Sequence, residues 1–198
     1  MKINSLLMAF AIVAFSLALT ACDFNGGVDQ GRCVAFNADA KTVTMVVDTS
    51  LDQHNPHYSG EVLTYKLPLE AIDMGPVPVP GGRLQIEQDK NQILIYDPVT
   101  KSIKQVPVEF TEVVKKVSSK DARVQGKKFP VINRENKTIT VYSRDLQELV
   151  TFRVPDEFLA LPADTWNAGD EVRVAFRKDN KDQAIRLMNV TKTNIFAR

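Results

Sequence analysis

An internal duplication limits the fold of this 198-residue chain more than any other feature. Asn37-Ala38-Asp39-Ala40-Lys41-Thr42-Val43-Thr44 returns 96 positions later as Asn133-Arg134-Glu135-Asn136-Lys137-Thr138-Ile139-Thr140. Thr64-Tyr65-Lys66-Leu67-Pro68 then returns as Thr151-Phe152-Arg153-Val154-Pro155, and Gly82 as Gly169, now at an offset of 87. Three matches in one order predict two copies of one module. Within each copy apolar and polar residues alternate, which is the period of a half-buried strand.

In the second copy Ile139 and Val141 share one face, Val150, Phe152 and Val154 line the next strand, and Val172, Val174 and Phe176 follow Gly169. A turn at 178–182 leads to Ile185 and Leu187. The first copy repeats this through Val43 and Met45, then Leu63, Tyr65 and Leu67, then Leu84 and Ile86, then a strand over 93–96. It adds a hairpin that turns at Asp97-Pro98 and returns through Val106, Val108 and Phe110. Asp156-Glu157-Phe158-Leu159-Ala160-Leu161, acidic at its start and stopped by Pro162, predicts a helical turn with a counterpart at 70–73. The expected class is all-β with short helical turns, a tandem of two related five-stranded antiparallel barrel or OB-like modules. The Asn-x-Asp/Glu-x-Lys-Thr turn and Gly169-Asp170-Glu171-Val172 resemble small exported barrels of the OB or SH3-like type. Copies this small have marginal cores, so they should pack together, as an elongated two-lobed molecule or as one continuous double barrel if the end strands exchange. The expected boundaries are 31–117 and 126–198 for the modules, with a polar linker at 118–125.

Ahead of the repeats, Lys2, an apolar run from Leu6 to Leu19 and small residues before Cys22 have the form of a secretory signal. The run is too short to span a bilayer, which takes roughly 20 apolar residues. Leu19-Thr20-Ala21-Cys22 resembles the lipobox of bacterial lipoproteins. The resemblance implies removal of 1–21, a diacylglyceryl group on Cys22, and a third acyl chain (palmitate, for example) on its amine. Asp23 then resembles an inner-membrane retention signal, and 22–30, with Gly26 and Gly27, is expected to be a lipidated tether. The implied location is the periplasmic side of the cell membrane, the inner one favoured. The other reading is an ordinary cleaved signal whose Cys22 pairs with Cys33. If Cys22 carries lipid, Cys33 is left alone on a strand, as a buried thiol, an intermolecular disulfide or a metal contact.

Of the chain's basic residues only Lys2 lies in the signal segment, so the remainder balances its 24 acidic residues. That gives no basic footprint for nucleic acid. Motifs for a nucleophile elbow, a phosphate loop or a zinc protease are missing, and the expectation is a protein without catalytic activity or cofactor beyond its lipid.

The offset drop places nine extra residues in the first copy, in a loop holding Asp48, Asp52, His54, His57 and Tyr58. It reads as a solvated loop, a partner contact, or a zinc or copper site using His54, His57 and Asp52. Gly75-Pro76-Val77-Pro78-Val79-Pro80-Gly81-Gly82 reads as a stiff connector or an extended recognition segment through Pro76, Pro78 and Pro80. Trp166, in the matching segment, is either an exposed binding aromatic or the cover of a barrel end. The functional expectation is a membrane-anchored binding or assembly lipoprotein with an envelope protein or polymer as partner, the alternative being metal capture.

Overall fold

The computed structural model describes residues 25–50, 52, 55–144 and 146–193. Cys22, Asp23 and His54 lie outside them. The described chain is nearly all β: β1 (Gly26–Asn37), β2 (Thr42–Asp48), β3 (Tyr58–Lys66), β4 (Arg83–Glu87), β5 (Gln92–Asp97), β6 (Ser102–Pro107), β7 (Glu109–Val114), β8 (Val131–Asn133), β9 (Thr138–Ser143), β10 (Glu148–Arg153), β11 (Glu171–Arg177) and β12 (Asn180–Asn189). One helical turn, α1 (Asp156–Leu159), and short 3-10 turns complete it, among them Ala71–Asp73 and Ala163–Trp166.

The duplication is visible atom by atom. Asn37 Oδ1 accepts from Ala40 N at 2.8 Å and Asn133 Oδ1 from Asn136 N at 3.0 Å, and Lys41 and Lys137 both take positive φ. Each turn therefore uses an Asn side chain to bind its own backbone and a left-handed residue to close the hairpin. Farther along, the Thr44 and Thr64 hydroxyls are hydrogen-bonded at 2.9 Å, and so are those of Thr140 and Thr151. Leu67 N donates to Lys41 O as Val154 N does to Lys137 O.

The tandem takes its exchanged form. A closed barrel has the order β1-β11-β12-β3-β2, so the first three strands of the first copy are completed by the last two of the second. The β12·β3 contact is parallel and every other pairing in the barrel is antiparallel, which is the Greek-key order of an OB-type barrel. Its core holds Cys33, Val43, Met45, Tyr65, Val172, Val174, Ala184 and Leu187. A register shift between Ala175 and Phe176 turns Ala184 into this core in place of the expected Ile185.

The second lobe joins β4-β5-β6 to β7-β10-β9-β8 around one core that includes Ile93, Ile95, Val106, Ile139, Val150, Phe152 and Trp166. Here β6 and β7 run on through Val108 from one sheet to the other, so the extra hairpin of the first copy widens this lobe into two sheets. The boundaries 31–117 and 126–198 thus follow the sequence copies, while each lobe draws strands from both.

Two further expectations are corrected. The segment 22–30 is not all tether: β1 starts at Gly26 and pairs residue by residue with β11, from Gly26 opposite Arg177 to Arg32 opposite Glu171. Gly27 serves packing, since a Cβ there would stand 2.5 Å from the Phe176 ring. The linker 118–125 is not an open spacer either. Val117 and Val124 are buried with Leu149 against Phe129 and Tyr142, so this polar-looking stretch forms turns on the second lobe.

Candidate functional site

The two crossings between lobes, 67–82 and 154–170, are strapped together. Asp170 N donates to Val79 O, and Val79 N to Asp170 Oδ2, both at 2.8 Å. Asp170 Oδ2 also accepts from Asn189 Nδ2 at 2.8 Å and meets Lys192 Nζ at 3.1 Å. Gly81 N donates to Cys33 O and Cys33 N to Asp170 O, which seats both straps on β1. A Cβ at Gly169 would stand 2.0 Å from Cys33 O, and one at Gly81 2.4 Å from Asn167 O, so the backbones meet where only glycine fits.

Beside the straps lies a seam of buried and half-buried polar side chains. On β1, Gln30 and Arg32 point away from the barrel interior that Cys33 faces, because successive residues of a strand take opposite sides. Arg32 Nε donates to Tyr58 OH at 2.9 Å and lies 3.7 Å from Glu171 Oε2, while Nη1 donates to Gly169 O at 2.8 Å. Arg173 donates from Nε and Nη2 to Gln30 Oε1 at 3.1 and 2.5 Å. Asp48 Oδ1 accepts from Ser50 N and His57 N. Asp48 Oδ2, Glu171 Oε1, Gln30 Nε2 and Trp166 Nε1 are buried with no hydrogen-bond partner among the described residues.

The electrostatics follow from burial. Burial lifts the Glu171 carboxyl to about 7, with Arg32 opposing and the Asp48 charge adding. Tyr58 is pushed up to about 12 by burial, against the pull of Arg32. Arg83, at the start of β4, is pushed down to about 10 by burial and then by the like charge of Arg32. The seam can therefore hold a proton at Glu171 near neutral pH, and it keeps a second guanidinium, Arg83, beside the first.

The structure brings Asp48 and Tyr58 to this seam as the last residue of β2 and the first of β3. His57 stands at the base of the loop, its Nδ1 2.8 Å from Thr49 Oγ1 and its O accepting from Thr49 N. Asp52 is exposed, and among the described residues no group of three or more His, Cys, Asp or Glu is placed to hold a metal. Pro78 is buried and Pro76 and Pro80 are exposed along a strap held by main-chain bonds, with Lys192 Nζ donating to Val77 O. The exposed-aromatic reading of Trp166 is corrected. It is fully buried, its ring 5.8 Å from that of Phe152, because the 3-10 turn Ala163–Trp166 drops it into the second core.

The described body is matched as one unit by the family named "Domain of unknown function (DUF4881)", over residues 24–198. The chain belongs to the DUF4881 family. No curated protein and no solved structure matches it. The DUF4881 match covers both lobes and both straps, so it contains every seam residue.

Sequence reasoning missed Gln30, Arg32, Arg83, Glu171 and Arg173 as a site, because a polar residue alternating with apolar neighbours reads as the solvent face of a strand. The one available signal was Arg83, placed directly after the two glycines that end the proline segment. A depression of about 390 Å³ around Glu87, Asp89, Lys90 and Lys115 lies on the β4–β5 turn. Its rim is an exposed Lys90–Glu87 pair at 2.8 Å, and it adds nothing to the seam.

Proposed function

We propose that this protein is a lipid-anchored, periplasm-facing lipoprotein of the cell membrane that binds or assembles an envelope partner, without catalysis. The observation that carries the reading is the start of β1 at Gly26, four residues after Cys22. Four extended residues reach at most about 14 Å. A lipid on Cys22 would therefore hold the barrel against the bilayer surface instead of letting it range on a long leash. The exchange of strands between lobes supports the binding role, since it offers a stiff body on which a partner surface loses little freedom.

Replacing Cys22 by Ser is the direct test. The variant is expected as a folded protein in the soluble envelope fraction, with the parent in the membrane fraction after high-salt washing. A variant that stays with the membrane sinks the anchor reading. Asp23→Ser is expected to move the parent from inner to outer membrane in a density gradient. Partner capture uses solubilised envelopes of cells carrying the anchored form, and an empty capture would count against the assembly role.

A further inference from the structure

Arg83 is the least explained charge in the molecule. It is 7 % exposed, its N donates to Asn167 O, and its Nε donates to Trp166 O at 3.0 Å. Among the described residues no ion pair involves it, whereas its neighbour Arg32 has Glu171. A buried cation without a counter-charge is costly, and more so with a second guanidinium nearby.

Arg83 also lines a pocket of about 130 Å³. Trp166 forms part of the same wall, and its Nε1 is a buried donor with no partner. The remaining lining is Phe129, Pro130, Val141, Tyr142 and Ala168, with one further polar residue, Asn167. Tyr142 OH is already used, donating to Val117 O at 2.8 Å, so the ring alone is offered to the pocket. Arg83 is thus the one charged residue of this lining, beside the amide of Asn167 and walls that are otherwise aromatic and aliphatic. Its size is close to the roughly 150 Å³ cavity that takes up benzene in an engineered core.

We infer that this pocket binds a small monocarboxylate with an apolar body, the carboxylate accepting from the Arg83 guanidinium and Trp166 Nε1–H, and the body resting against Phe129, Val141 and Tyr142. A planar carboxylate suits the fork of an arginine, and with Arg83 the one charged residue of the lining the second charge of a dianion such as phosphate would find no partner. The assignment does not depend on the lipid anchor, and its failure leaves that reading untouched.

Trp166 is the chain's sole tryptophan and serves as the reporter in the full-length protein in detergent. Benzoate is expected to change its emission saturably, with a half-point below about 1 mM. Benzamide, of the same shape and neutral, is expected to need at least about ten-fold more. Arg83→Gln is expected to weaken benzoate about ten-fold or more with a cooperative melt retained. If that variant does not melt cooperatively, Ala168→Leu, at the exposed rim, is expected to weaken benzoate to the same extent. No response to benzoate, equal responses to benzoate and benzamide, a phosphate response as strong as that to benzoate, or undiminished binding in the folded variant overturns the assignment.

Discussion

At the residue scale the consequential group is Glu171, buried opposite Arg32 with one carboxylate oxygen unpartnered. Its native pKa of about 7 lies above the ordinary carboxylate value, so the folded state holds the proton more tightly than the unfolded state. Stability is therefore fullest below the unfolded pKa and falls as pH rises through about 7, a loss on the order of 3 kcal/mol. Thermal melts from pH 5 to 8 are expected to show the parent losing stability and Glu171→Gln losing less. Equal slopes for the two would remove this role. Cys33 is buried, and burial, with the Asp170 charge adding, pushes its thiol up to about 12. In a Cys22→Ser background a thiol reagent is expected to find no reactive group in the native protein and one after denaturation.

At the scale of elements the straps fix the relation between lobes. Their carbonyl and amide groups bond to each other and to β1, and Gly169 sits where any side chain would strike the Cys33 carbonyl. Backbone cannot step aside as a flexible side chain can, so Gly169→Ala is expected to cost about 3 kcal/mol or to prevent folding. Gly60 is the control: its φ is +85° but nothing lies within 4 Å of a Cβ there. Gly60→Ala should cost only about 1 kcal/mol, and urea unfolding of both variants measures the contrast.

The exchange of strands governs the molecule as a whole. Residues 25–117 lack β11 and β12, which leaves β1 and β3 as open edges and removes Val172, Val174, Ala184 and Leu187 from the barrel core. That fragment is expected to stay unfolded or aggregate, and coexpression with 118–198 to restore a stoichiometric folded complex, read by gel filtration and circular dichroism. A monomeric fragment 25–117 with a cooperative melt would show that the exchange is dispensable. The contact between lobes, in which Val46 packs with Leu84 and Tyr96, further expects one unfolding transition for the intact chain.

The all-β class, the hairpin turns at Asn37 and Asn133, the helical turn after Pro155 and the short N-terminal apolar run were legible in the sequence, because each rests on alternation or turn chemistry within a few residues. Tertiary structure alone decided which copy completes which barrel: alternation fixes the side of a strand that is buried but not the strand it bonds to. The same limit hid the seam. Arg32 and Glu171 meet only because β1 pairs with β11 across 139 positions, and Trp166 is interior only because the return strap folds over the second lobe. Local pattern set the pieces and their faces, and long-range pairing set their neighbours, which is where the buried charges acquired their chemistry.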